Sequence, residues 1–130
     1  MAKQGRYTAK KSSCPISKKC GGCQYIDKTY TEQLKIKTDQ VKKLLAPYGS
    51  VDEIIGMKEP YHYRNKVNAA FQHKRNGEIL AGVYEEGTHR VLSVDDCKIE
   101  NRLAQEIVET IRGLLRSFKI TVYNEDSGYG

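Results

Sequence analysis

The four cysteines of this 130-residue chain are the side chains best suited to chemistry, and three of them lie close together in the sequence. Five residues separate Cys14 from Cys20, two residues separate Cys20 from Cys23, and Cys97 lies far along the chain. The two glycines between Cys20 and Cys23 tolerate positive φ and add no bulk, so the backbone there can wrap closely around an inorganic centre. A fourth thiol located at the end of a sheet would complete a set of four thiolate ligands.

Four kinds of chemistry use cysteines in this way. Disulfides are disfavoured because we find no secretory signal in the sequence, and intracellular thiols are usually reduced. A structural zinc ion takes four thiolates, although such sites commonly use two C-x2-C pairs. An iron–sulfur cluster accepts three clustered thiolates and a distant one, and plant-type [2Fe–2S] spacing is one residue shorter in its first gap. The clustering disfavours unrelated free thiols, so zinc and iron–sulfur sites both stay open on spacing alone.

The basic charge is concentrated at the end of the chain that carries these cysteines. The net charge is +6, and residues 1–23 contain six Lys or Arg and no acidic residue. Such a patch attracts a polyanion by neutralising phosphates and releasing counterions, whereas a tail that only aids solubility is the alternative. Lys18 and Lys19 flank Cys20, so we expect them to lower the pKa of the nearby thiols and to contact phosphate.

Two helices are predicted, one on each side of a region of strands. Thr29 and Glu32 have the spacing of a capping box, and the apolar stripe that follows them ends before Pro47. The apolar residues between Ile99 and Phe118 recur with a period of 3.6 residues, which predicts a second amphipathic helix over that range. We interpret the apolar stripe of the first helix as part of the core.

The region between the helices predicts an antiparallel β-meander. Asn76-Gly77 is the strongest hairpin signal in the sequence, and Glu86-Gly87 marks a second turn. The predicted fold class is therefore α+β, with an antiparallel meander packed against two helices and an N-terminal cysteine-rich loop. The predicted strands span residues 66–71, 79–84 and 90–94, with shorter strands at 51–57 and 119–123.

Three motifs together resemble one family of RNA-modifying enzymes. They are Cys14-Pro-Ile-Ser-Lys-Lys-Cys20-Gly-Gly-Cys23, Tyr63-Arg-Asn-Lys66 and Val94-Asp-Asp-Cys97-Lys-Ile99, and they are similar to motifs of the iron–sulfur RNA uracil-5-methyltransferases. Enzymes of this family use S-adenosylmethionine to make 5-methyluridine in 23S ribosomal RNA and transfer RNA, and the ribosomal branch is the more similar one. The resemblance covers nearly the whole chain from Cys14 onward.

The resemblance implies a structural [4Fe–4S] cluster, with Cys97 supplied from the position just before a helix. Residues 1–28 would form a basic lead-in and the cluster loop, and residues 29–130 would form a central RNA-binding domain. The S-adenosylmethionine site and the catalytic cysteine of the family belong to a C-terminal domain that has no counterpart here, so we expect this chain alone to be inactive. The implied cluster ligands are Cys14, Cys20, Cys23 and Cys97.

Six basic residues are candidate RNA contacts. Arg64 lies among aromatic residues, a mixture that suits phosphate contact combined with base stacking. For Tyr61 and Tyr63 we favour the alternative that they are half-buried strand residues. A charged hairpin tip, such as the one expected before Asn76, is normally only solvated. The candidate contacts are Lys18, Lys19, Arg64, Lys66, Lys74 and Arg75.

The predicted partner is RNA, most simply a ribosomal stem-loop, bound by a monomer. The longest apolar run lies around residues 79–83 and falls far short of the roughly 20 residues that a transmembrane helix needs. We therefore expect no membrane segment and a cytoplasmic location. Two other functions stay open, namely a zinc-stabilised RNA-binding module without catalytic activity and a small [2Fe–2S] electron carrier.

Overall fold

The computed structural model describes residues 14–130 and has the predicted α+β fold. Three strands pair in the order β1-β2-β3 as an antiparallel meander, and one helix precedes them and the other follows them in the sequence. Most of the predicted basic lead-in falls on residues 1–13, which lie outside the described residues. The elements are α1 Tyr30–Leu45, β1 Ala70–His73, β2 Ile79–Tyr84, β3 Val91–Ser93 and α2 Arg102–Ser117.

Helix α1 begins where the sequence predicts because Thr29 caps it. The Glu32 backbone N–H donates to the Thr29 hydroxyl at 3.2 Å, and the Thr29 backbone N–H donates to the Glu32 carboxylate at 2.7 Å. This reciprocal pair satisfies two backbone donors of the first turn. Tyr30 is the one buried residue of the helix. The prediction that the whole apolar stripe is core is wrong at the far end, where the Leu44 side chain is 73% exposed.

Two tight turns produce the meander. Gly77 and Gly87 have φ values of 82° and 70°, in the left-handed region that glycine enters without steric cost. The Lys74 backbone N–H donates to the Glu78 carbonyl at 2.8 Å and closes the first turn. Strand β2 has the predicted bounds, residues 79–84, and the two hairpins are confirmed.

Two predicted strands do not form. Residues 51–57 have no strand pairing, and Ile55 is 95% exposed, so this segment lacks both a hydrogen-bonding partner and a buried face. Residues 119–123 begin with a left-handed residue, Lys119 at φ 52°, which breaks the extended path just after α2. Strand β1 also begins at Ala70, later than predicted, because the pairing with β2 begins only at that residue.

Helix α2 packs against β2, which contributes Ile79 and Ala81 to the core. Helix α2 begins at Arg102, three residues later than predicted, because the Asn101 side chain accepts the Leu103 backbone N–H at 2.9 Å and caps the helix. Neither helix of the described residues is long and apolar enough to cross a lipid bilayer. The buried apolar residues of this part of the chain are Tyr30, Ile79, Ala81, Val91, Ile99 and Val122.

Candidate cysteine centre

The first three cysteines lie on a series of turns that precedes α1. The backbone N–H groups of Lys19 and Cys20 both donate to the Ile16 carbonyl at 2.9 Å, which folds this loop back on itself. Cys14, Cys20 and Cys23 are each partly exposed, and Cys97, after β3, is partly exposed as well. All four side chains are free thiols in the structure.

The turn after β2 holds the cysteine loop against the sheet. The Glu86 backbone N–H donates to the Lys19 carbonyl at 2.9 Å. A Cβ atom added at Gly21 would lie 3.0 Å from the carboxylate carbon of Glu86, and one added at Gly22 would lie 3.3 Å from the sulfur of Cys20. The two glycines therefore permit a close approach to the hairpin on one side and to a thiol on the other.

Residues 61–65, which we call the strap, fix the segment that carries Cys97. The Arg64 backbone N–H donates to the Ile99 carbonyl at 2.8 Å, so the strap runs alongside the residues between β3 and α2. From α2, the Gln105 side-chain amide donates to the Cys97 carbonyl at 3.0 Å. Sequence reasoning missed Gln105, whose only signal is its place in the first turns of a helix that follows a cysteine.

The other three thiols act electrostatically on Cys23. Burial raises the pKa of the Cys23 thiol above its ordinary value, and the other three thiols raise it further. Burial also raises the pKa of the Cys97 thiol, while hydrogen bonds from the backbone N–H groups of Ile99 and Glu100 lower it. The loop before α1 and the segment after β3 therefore bring their thiols into one neighbourhood.

Arg64 supplies the positive charge that acts on this neighbourhood. Its guanidinium lowers the pKa of Cys23 and so opposes the effect of burial. The prediction that Lys18 and Lys19 lower the pKa of the nearby thiols stays a prediction. Both lysines are exposed on the loop, where water and salt screen their charges.

Four thiols are the donor set that a thiophilic metal centre prefers, although their sulfur atoms do not converge on one point. Among residues 14–130, no three His, Cys, Asp or Glu side chains lie close enough together to hold one ion. Four free thiols nevertheless share one neighbourhood, and two backbone N–H groups point at the sulfur of Cys97. Hydrogen bonds to sulfur are a usual feature of cysteine-ligated clusters. A positive centre would also relieve the mutual repulsion of the ionised thiols.

Comparison with known proteins gives this centre its context. The chain is 39% identical over 121 residues to an "uncharacterized RNA methyltransferase" of Streptococcus agalactiae, and 42% identical over 124 residues to one of Clostridium acetobutylicum. These alignments cover 87% and 90% of the chain. The chain is a homologue of these RNA methyltransferases. It spans about a quarter of their length, 26% and 27% respectively. No protein-family model matches the chain.

The basic residues predicted to contact the RNA of such a methyltransferase lie in two places. Lys18 and Lys19 are exposed on the cysteine loop, and Arg64, whose charge acts on Cys23, is exposed on the strap. Lys66 is exposed two residues further on. The other two, at positions 74 and 75, are exposed at the tip of the β1–β2 hairpin. That tip is at the opposite end of β2 from the turn that contacts the cysteine loop.

Proposed function

We propose that this chain binds RNA as part of an S-adenosylmethionine-dependent RNA uracil-5-methyltransferase, with 23S ribosomal RNA as the substrate class. The observation that carries the proposal is the similarity of about 90% of the chain to proteins named RNA methyltransferases. The cysteine motifs support the iron–sulfur branch of that family. In the whole enzyme, the aligned quarter would hold the RNA, and the methyl transfer would take place in segments outside it.

The proposal includes a [4Fe–4S] cluster held by Cys14, Cys20, Cys23 and Cys97. Four protein thiolates leave no iron open to a substrate, so the group would supply a rigid crosslink and no reaction step. It would fasten the cysteine loop to the residues between β3 and α2, which the strap and Gln105 already hold in place. The loop's exposed lysines would then face RNA from a fixed position.

RNA binding by this surface follows from its charge. Lys18, Lys19 and Arg64 are exposed cations, and no ion pair within residues 14–130 engages any of them. Cations of this kind neutralise phosphates and release counterions, which makes binding strongly dependent on salt. Lys74 is a weaker candidate, because its ammonium forms an ion pair with the Glu78 carboxylate at 2.8 Å.

Metal content tests the cluster. The chain would be purified without oxygen, and its iron, sulfide and zinc would be measured together with the visible absorption spectrum. About four irons and about four sulfides per chain would support the proposal. One zinc per chain and no iron would overturn the cluster and favour a zinc-stabilised RNA-binding module.

Salt-dependent RNA binding tests the surface. We expect the Lys18→Glu/Lys19→Glu variant to bind a ribosomal RNA stem-loop more weakly and to reduce the slope of log K against log salt by about 2. The matched control is Lys42→Glu/Lys43→Glu, which changes two adjacent exposed lysines near the end of α1. Equal losses in the two variants would show a general effect of charge and would remove the cysteine loop from the RNA site.

A further inference from the structure

We infer that an open pocket beside Cys23 binds a single unstacked nucleobase of RNA. The inference rests on the proposed RNA-binding function and adds a base-binding site to it. The pocket has a volume of about 240 Å³, below the roughly 300–1,000 Å³ of pockets for larger ligands, so it suits one planar ring system. Its walls include Gln24, Tyr25, Tyr30, Lys37, Tyr61 and Tyr63.

Two of the aromatic walls are held by their own hydroxyl groups. The Tyr30 hydroxyl accepts the Met57 backbone N–H at 2.7 Å. The Tyr25 hydroxyl accepts a hydrogen bond from the Gln40 side-chain amide at 3.1 Å. Tyr25 is the more exposed of the two. A ring that is fixed before binding loses little conformational freedom when a base stacks on it, which favours affinity.

The other two rings, Tyr61 and Tyr63, lie two residues apart at the start of the strap. Between them, the His62 backbone N–H donates to the Lys98 carbonyl at 2.9 Å, and the His62 ring contacts the Glu100 carbonyl at 2.9 Å. The backbone that carries both rings is therefore fastened to the residues before α2. Tyr63 is 49% exposed, so its ring is accessible to a base from solvent.

The polar groups of the pocket are available to a ligand. Within residues 14–130, no hydrogen bond or ion pair engages the side chains of Gln24, Lys37, Tyr61 or Tyr63. An amide such as that of Gln24 offers both a donor and an acceptor to a base edge, and Lys37 offers a cation to the adjoining phosphate. No carboxylate is among the lining residues, so none of them repels a polyanion.

The base pocket and the cysteine centre share a wall, because Cys23 lines the pocket. Arg64, whose charge acts on Cys23, follows directly after Tyr63 in the strap. A nucleotide seated in the pocket would thus place its phosphates near cations on more than one side. This combination of stacking rings and surrounding cations is the usual means of holding single-stranded RNA.

Fluorescence anisotropy with a labelled hexauridylate tests the inference on the full chain. We expect the Tyr61→Leu/Tyr63→Leu variant to bind about 10-fold to 100-fold more weakly, and Tyr61→Phe/Tyr63→Phe to stay within about threefold of the wild type. Tyr48→Leu is the control, since Tyr48 is 85% exposed and does not line the pocket. A fully paired RNA duplex as probe should bind all variants alike.

Photo-crosslinking of the wild-type chain to a 5-iodouridine oligonucleotide guards against a Leu variant that fails to fold. Crosslinks at Tyr25, Tyr61 or Tyr63 are expected, and crosslinks confined to other residues would overturn the pocket. Unchanged hexauridylate binding by the folded Leu variant would do the same. Displacement of the oligonucleotide by equimolar uridine monophosphate would identify a free-nucleotide site instead. Failure of the wild type to bind any RNA would overturn the proposed function itself.

Discussion

At the residue scale, Gly82 sets how closely β2 and β3 approach each other. A Cβ atom at this position would lie 1.9 Å from the Leu92 carbonyl oxygen, a backbone atom that no side-chain rotation can move away. We expect Gly82→Ala to lower the free energy of unfolding by more than about 2 kcal/mol, because the strands must separate to admit a methyl group. Urea unfolding followed by circular dichroism measures the change.

Gly113→Ala is the matched control for this substitution. Gly113 lies inside α2, and a Cβ atom there would meet nothing within 4 Å. We expect this variant to be more stable by roughly 0.5–1 kcal/mol, because alanine loses less backbone entropy than glycine in a helix. Similar effects of the two substitutions would show that the close approach at Gly82 does not limit the sheet.

Glu78 gives a second prediction at this scale. Its hydrogen bond with the Lys74 ammonium lowers the pKa of the Glu78 carboxyl below its ordinary value of 4.5. A lowered folded-state pKa contributes stability that is present above the ordinary value and is lost as the pH falls through the lowered one. Lys74→Met should move the pKa back towards 4.5, as measured by NMR titration. Arg75→Met removes a neighbouring cation instead of the one with the largest effect on Glu78, and an equal shift in this control would contradict the assignment to Lys74.

At the scale of elements, local signals were predictable and partner-dependent ones were not. The capping box at Thr29 and the turn at Asn76-Gly77 each act within a few residues, and both form as predicted. Residues 51–57 and 119–123 have strand-like composition but no paired neighbour. The spacing of the first three cysteines was likewise visible in the sequence, whereas the hydrogen bond from Gln105 to the Cys97 carbonyl depends on how α2 packs.

Burial separates apolar residues that stabilise the elements from those that do not. Ile79 in β2 is 4% exposed, whereas Leu44 in α1 is 73% exposed. We expect Ile79→Ala to cost about 2–5 kcal/mol of unfolding free energy, since it removes buried methyl groups and leaves a cavity. Leu44→Ala should change it by less than about 0.5 kcal/mol. Urea unfolding of both variants tests this, and comparable costs would show that the end of α1 is packed against the rest of the chain.

At the scale of the whole molecule, the chain has few buried side chains to hold distant segments together. Only six apolar residues of the described part are buried, and several large ones on both helices are exposed. The cysteine loop contacts the sheet through the backbone hydrogen bond between Glu86 and Lys19, while Cys97 belongs to a segment more than 70 residues further on. A centre ligated by all four thiols would therefore join parts of the chain that packing alone joins weakly.

Thermal unfolding with and without the bound centre tests this linkage. A ligand present at about 100 times its Kd stabilises the folded state by roughly 2.7 kcal/mol, which corresponds to a Tm increase on the order of 10 °C for a chain of this size. Cys97→Ser should abolish most of that increase, because three ligands from one loop no longer connect it to the residues before α2. The control Lys42→Ser alters an exposed residue of α1 and should keep the full increase. If the Cys97→Ser chain still gains as much stability from the metal as the wild type, the metal binds to the cysteine loop alone. The residues before α2 are then held in place only by the strap and Gln105.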